Sequence, residues 1–192
     1  MGTNPVPPPA GQPAPHNVYG VFVDDINQAN TKRVVEGVTG AITAGNKHLH
    51  VMFQSWGGFV GDGIMLHNFF KSLSIVDLSL YNSGQVASAA VVAYLGAKRR
   101  VASKSAIFML HRSHNSPQFA TASKLERLAE NLNLDDKRTE AILKAHIKLP
   151  EELWEQLENH DLYLTGEEGS TMGSLLSWAT SRRLWGTQIY KV

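Results

Sequence analysis

The sequence predicts an α/β domain made of repeated strand–helix–strand units around a mainly parallel sheet, with one long amphipathic helix added. Three observations carry that prediction. Short β-branched or alternating apolar runs recur at residues 18–23, 49–53 and 76–81. Each is followed by a stretch with helical apolar spacing, and that alternation is the pattern of βαβ crossovers. The chain is 192 residues long without a visible internal repeat, a length that suits one domain.

Taken in order, the first element is Val18-Tyr19-Gly20-Val21-Phe22-Val23, a β-branched and aromatic run read as a strand. Asn30 is positioned to cap a helix whose Val34, Val35, Val38, Ala41 and Ile42 share one face, with Gly45 as its stop. Residues 49–53 form a second strand leading into Ser55-Trp56-Gly57-Gly58. A helix beginning at 61–63 carries Met65, Leu66, Phe69, Phe70 and Leu73. In the third strand Val76, Leu78 and Leu80 alternate with Asp77, Ser79 and Tyr81. Residues 87–95 read as a buried helix, and 98–102 and 106–110 as short strands. The long helix at 122–147 offers Leu125, Leu128, Leu132, Ile142 and Leu143 as core contacts. Pro150 starts a further short helix, and Thr165-x-x-Glu168 is a capping box opening the last one.

Ahead of the domain, at 17–192, stands an arm at 1–16 holding six of the eight prolines. Such density blocks ladder hydrogen bonds and favours an extended, solvated segment. Charged residues are 18% of the chain, below the usual share of about 25%. The net charge of +1 lacks the footprint of a nucleic-acid binder, and Arg99-Arg100 and Arg182-Arg183 are isolated basic pairs. With no cysteine, disulfides, thiol nucleophiles and thiolate metal sites are excluded. The longest apolar stretch, 87–95, is far short of a membrane span, and the first lysine is Lys32, so no basic leader precedes an apolar one. A cytoplasmic protein is expected, without membrane or nucleic-acid partners.

Chemistry concentrates where strands hand over to helices. Gly57-Gly58 lets a ligand approach backbone amides closely, although a lone Gly-Gly is more often a tight turn. Ser88 stands at a helix start, where free amides and the dipole favour negative charge; taken alone it reads as an N-cap. His111 ends an apolar strand, where a single histidine is usually structural. Together with an aspartate these parts suffice for acyl transfer: a hydroxyl nucleophile, its base, an orienting carboxylate and amide donors for an oxyanion. Spacing alone leaves Asp135, Asp136 and Asp161 equally eligible as that carboxylate.

Four motifs in order make the pattern specific. Gln54-Ser55-Trp56-Gly57-Gly58-x-x-x-x-Gly63, Gly84-x-x-Ala87-Ser88-Ala89-Ala90, Met109-Leu110-His111 and Asp161-x-Tyr163-Leu164-Thr165-Gly166-Glu167-Glu168 resemble successive motifs of the Clp protease proteolytic subunit. The resemblance spans residues 18–168 and implies the crotonase-like ClpP fold. It implies a serine endopeptidase with Ser88 as nucleophile, His111 as general base and Asp161 as third member. The amides of Gly58 and Ala89 would form the oxyanion hole, and Trp56, Gly57 and Gly58 would border the substrate groove. Peptide or unfolded protein would be the substrate, with no metal or organic cofactor. The chain would form a homo-oligomer, a ring among the options, and an AAA+ unfoldase would be the partner that delivers substrate.

The chain also departs from that pattern. Trp56 stands where the family has proline, and Arg112-Ser113-His114-Asn115-Ser116-Pro117 replaces a Gly-rich strand. Asn159-His160 replaces an Asp-Arg pair, and the usual ending is absent. The double ring with its unfoldase is therefore not carried over with the fold and the triad. Two competing readings share the fold, a catalytically silent scaffold and a crotonase-type acyl-coenzyme A enzyme, the latter without obvious acid/base glutamates near Gly58 or Ser88. A Ser-Lys peptidase would need Lys98 or Lys104, both in polar surroundings. His48-x-His50 with His67 and Asp62 is weighed as a metal site and set aside as polar positions at a strand start. Trp154, Trp178 and Trp185 read as packing residues.

Overall fold

A computed structural model describes residues 17–172 and 189–191. The arm at 1–16, Trp178, Trp185 and Arg182-Arg183 lie outside the described residues. In chain order the first half holds β1 (Asn17–Val23), α1 (Gln28–Thr43), β2 (His48–Gln54), α2 (Val60–Ser72), β3 (Asp77–Asn82), β4 (Gln85–Ala87) and α3 (Ala89–Leu95). The second holds β5 (Arg99–Ala102), β6 (Ile107–Leu110), α4 (Ala122–His146), α5 (Glu151–Leu157), β7 (Leu162–Thr165), α6 (Gly166–Thr171) and β8 (Ile189–Lys191).

Five strands form one sheet in the order β5-β3-β2-β1-β8, every neighbouring pair parallel. The repeated crossovers read from the sequence thus build a parallel sheet as expected. A smaller sheet, β4-β6-β7, pairs β4 with β6 in parallel and β6 with β7 antiparallel. The sheets are joined where Ser55, just past β2, bridges to Val86 of β4. Strand β7 has no counterpart in the sequence reading, which found only the capping box at its end. Its alternation is nevertheless real: Leu162 and Leu164 are buried while Tyr163 and Thr165 face outward.

The core lies between the large sheet and helices α2 and α3. Every residue of α3 is buried, so this helix is apolar on all sides, as befits one enclosed by other elements. Within it Tyr94 is fully enclosed and donates its hydroxyl to the Val101 carbonyl at 2.8 Å, and burial pushes that phenol up. Phe22 and Phe53 stack across β1 and β2 at 5.0 Å. Gly96 ends α3 against α2, where an added Cβ would lie 2.3 Å from the His67 carbonyl oxygen.

Three local expectations are corrected. Asn27, not Asn30, caps α1: its side chain accepts from the Asn30 amide at 3.0 Å, while Asn30 turns inward and donates to the Asp25 carbonyl. Residue 87 belongs to β4, and the helix starts only at Ala89. Along α4, Leu125 is exposed and Leu128 and Leu132 are half-buried, so these leucines are not core. Toward its C-terminal end Leu143 is buried and Ile142 packs on the core.

The three histidines weighed together in the sequence fall into separate contacts. His48 faces Asp77, His50 stacks on Tyr19 at 5.0 Å, and His67 is buried with Nδ1 3.0 Å from the Val92 carbonyl. Among the described residues no group of three or more histidines and carboxylates is placed to hold a metal ion.

The His67 ring meets His146 of α4 edge-on, with centroids 5.5 Å apart. Burial lowers the pKa of both imidazoles. For His146, helped by the charges of Arg100, His67 and Lys71, the value falls to about 4. The unfolded chain therefore takes up these protons first as pH falls. The stability gained by keeping them neutral is present above the ordinary histidine value near 6.5 and is lost on descent toward about 4. The melting temperature should accordingly fall between pH 7 and pH 4.5, and His146→Gln should flatten that slope; parallel slopes in a thermal-melt series would contradict the assignment.

Candidate active site

The glycine turn after β2 is held by hydrogen bonds its own sequence supplies. Buried Ser55 accepts the Gly57 amide on its hydroxyl at 3.1 Å, closing a tight side-chain turn. The Ser55 backbone receives the Ala87 amide at 2.9 Å and donates to the Gln85 carbonyl at 3.1 Å. One serine thus ties the glycine turn to the strand that delivers Ser88. Gly57 and Gly58 have φ of 102° and 146°, values that side chains strain to adopt. A Cβ on Gly57 would lie 2.6 Å from the Ser88 Cβ, and one on Gly58 would lie 2.1 Å from the Ile26 carbonyl oxygen.

Gly58 pairs with Ile26 in an isolated parallel bridge. Its two bonds run from the Ile26 amide to the Gly57 carbonyl at 2.7 Å and from the Phe59 amide to the Ile26 carbonyl at 2.9 Å. Neither uses the Gly58 amide, which points away from Ile26. Ala89 is the first residue of α3, so its amide has no intrahelical carbonyl to bind. Gly58 and Ala89 line the same cleft, beside Ser88.

Ser88 has φ 55° and ψ −131°, the single non-glycine positive φ among the described residues. It occupies the N-cap position of α3 but makes no side-chain capping bond, which corrects the reading of this serine as a plain cap. Its amide is anchored to the Met109 carbonyl of β6 at 2.8 Å. A strained strand-to-helix turn costs on the order of 1–3 kcal/mol and persists only where neighbours enforce it. Here the enforced result lifts the hydroxyl into the cleft, where it meets His111 Nε2 at 2.7 Å.

His111 follows the last residue of β6 and is half-buried. Burial, then the nearby His114, lowers its pKa below the ordinary range; Asp161, Asp136 and a backbone bond at Arg112 pull the other way. The imidazole is therefore neutral at pH 7. In the tautomer with its lone pair on Nε2 it accepts the Ser88 hydroxyl. Asp161 lines the cleft and acts on His111 through its charge, but it is exposed and makes no hydrogen bond among the described residues. The structure thus joins Ser88 and His111 directly and brings Asp161 near without contact. Asp136 is occupied by the Ser113 amide at 2.7 Å, and Asp135 pairs with Arg138 at 3.0 Å.

The cleft has a volume of about 940 Å³ and is bordered by exposed Trp56 and Phe59 on the glycine side and by α4 residues on the other. Two residues given no role in the site on sequence grounds matter to its geometry. Ser55 is one; its place in a Ser-x-Gly-Gly run was the available signal. Arg112 is the other: it pairs with Glu140 of α4 at 3.0 Å and with Glu158 beyond α5, tying the His111 segment to both helices. No local pattern announces a partner 46 residues away.

A serine at a strained helix start, hydrogen-bonded to a histidine beside a glycine turn, is the arrangement of hydrolases that attack through a hydroxyl. A family model described as Clp protease matches residues 20–176, and the chain belongs to that family of peptidases. The fold is similar to that of a ClpP1 point mutant from Listeria monocytogenes, with a TM-score of 0.69 at 20% identity over 82% of this chain and 88% of that one. A search among curated proteins finds no match. Among the described residues no helix is long and apolar enough to cross a membrane.

Gly57→Ala and Gly58→Ala should each lower stability by about 2 kcal/mol or more, since both add a clash to a disfavoured φ. Gly40→Ala, on an open face of α1 with no atom within 4 Å, should raise it by up to about 1 kcal/mol. Urea denaturation of the three variants checks this, and destabilisation by Gly40→Ala equal to that of the turn variants would contradict it.

Proposed function

We propose that the chain is a serine endopeptidase of the Clp proteolytic type, with Ser88 as nucleophile, His111 as general base and Asp161 as the acidic member. The observation that supports this most is the 2.7 Å contact from Ser88 to His111 on a strained turn facing the cleft. Peptide lies extended along the glycine turn, with Trp56, Gly57 and Gly58 bordering it. Ser88 Oγ attacks the scissile carbonyl carbon as its proton passes to His111 Nε2. The carbonyl oxygen becomes an oxyanion held by the amides of Gly58 and Ala89. As the C–N bond breaks, Nε2 returns the proton to the leaving amine and an acyl-Ser88 ester remains. Water then gives a proton to Nε2 and its hydroxide to the acyl carbon, and as the ester C–O bond breaks Nε2 returns that proton to Ser88 Oγ, releasing the acid and restoring Ser88 and neutral His111. Asp161 stabilises the imidazolium by charge. Side chains and backbone amides of the chain, with one water, carry every step.

The exposed leucines of α4, Leu125 and Leu134 among them, support a homo-oligomer that buries this helix between subunits. A ring would enclose the clefts.

A catalytically silent scaffold is the second reading. It is favoured by the missing hydrogen bond between Asp161 and His111. Intact-mass labelling with a fluorophosphonate separates the two: one adduct on the wild type, absent from Ser88→Ala, is expected. Absence of any adduct on a folded, assembled sample would overturn the peptidase reading. Light scattering should give a mass above 21.1 kDa at micromolar concentration; a monomer would overturn the oligomer.

A further inference from the structure

The side of His111 turned away from Ser88 is occupied by another histidine. His114 Nδ1 lies 3.3 Å from His111 Nδ1, with ring centroids 4.9 Å apart. Both residues belong to the segment between β6 and α4, three positions apart. His111 serves Ser88 as a base only when Nε2 is bare and Nδ1 carries the proton, and that proton needs an acceptor. The groups facing His111 are His114 on its own segment, Asp136 of α4, Asp161 ahead of β7 and the backbone at Arg112. Asp136 accepts the Ser113 amide, and Asp161 makes no hydrogen bond among the described residues. Arg112 carries its guanidinium away to Glu140 and Glu158. Beside the backbone bond at Arg112, His114 Nδ1 is the side-chain acceptor within hydrogen-bond distance.

We propose that His114 is a positioning residue that holds His111 in the tautomer and orientation serving Ser88, while Asp161 supplies charge alone. The inference rests on the serine-peptidase reading and deepens it. The two tasks that one buried carboxylate performs in a Ser-His-Asp triad, orientation and charge, are divided here between two exposed groups. A neutral His114 accepts the Nδ1 proton. The two partners also act differently on His111: His114 offers a lone pair at hydrogen-bond distance, whereas Asp161 acts by charge and raises its pKa.

That difference gives a test that a structural role would not pass. The rate of fluorophosphonate labelling is followed from pH 5 to pH 9 for the wild type and for His114→Ala, His114→Asn, Asp161→Asn and Ser88→Ala. Since His114 is exposed, its removal leaves the fold intact, which a thermal melt verifies. His114→Ala should slow labelling by about 10- to 100-fold, within the range of an acid–base contribution. His114→Asn keeps an acceptor oxygen at the position of Nδ1 and should recover most of the rate. Asp161→Asn should move the inflection to lower pH. A labelled wild type with His114→Ala unchanged in rate, or with His114→Asn no faster than His114→Ala, would overturn this inference and leave the peptidase reading standing. An unlabelled wild type, or equal labelling of Ser88→Ala, would overturn both.

Discussion

The site depends on a close approach of two backbones. Gly57 passes so near Ser88 that a single methyl group on it would overlap the serine side chain. That approach requires the positive φ of two successive glycines and the Ser55 hydroxyl that receives the Gly57 amide. It also requires the link from Ser55 to β4, which brings the large sheet and the small sheet together at one point. Ser88 holds its strained dihedrals because β6 grips its amide from one side and the glycine turn crowds it from the other.

From this junction the rest of the architecture follows. The parallel sheet delivers β2 and the glycine turn from one direction, while the small sheet delivers β4 and β6 side by side. Ser88 and His111 thus come from neighbouring strands, one just after β4 and the other just after β6. Adjacent parallel strands end at the same level, so the 2.7 Å contact is a consequence of register, not of flexible side chains reaching across a gap. Arg112 extends the chain of contacts to α4 and α5. Because this link is partly exposed, its role is to set the segment's path more than to add stability.

The acidic side of the site is looser than the nucleophilic side. Asp161 precedes β7, a four-residue strand that pairs with β6 alone among the described residues. His114 lies in a segment without regular structure. The segment that carries His114 is nevertheless anchored to its surroundings, by the Ser113 amide on Asp136 and by Arg112 on Glu140 and Glu158.

Much of this was legible in the residues. The alternation of strand-like and helix-like periods is local, so the parallel α/β class could be read from it, as could the glycine turn, the helix-start serine and the strand-end histidine. The Thr165–Glu168 capping box was legible for the same reason, as a four-residue device complete in itself. Only the tertiary structure decided that Asn27 caps α1 while Asn30 turns inward, that β7 joins β6 in antiparallel fashion, and that the leucines early in α4 stay out of the core. It also decided which groups meet His111: the histidine three positions on, not the aspartate fifty positions away, lies within hydrogen-bond distance. The physical reason is common to all of these. Periodicity and turn chemistry are properties of a few consecutive residues, whereas the partner of a side chain is set by where distant segments come to rest.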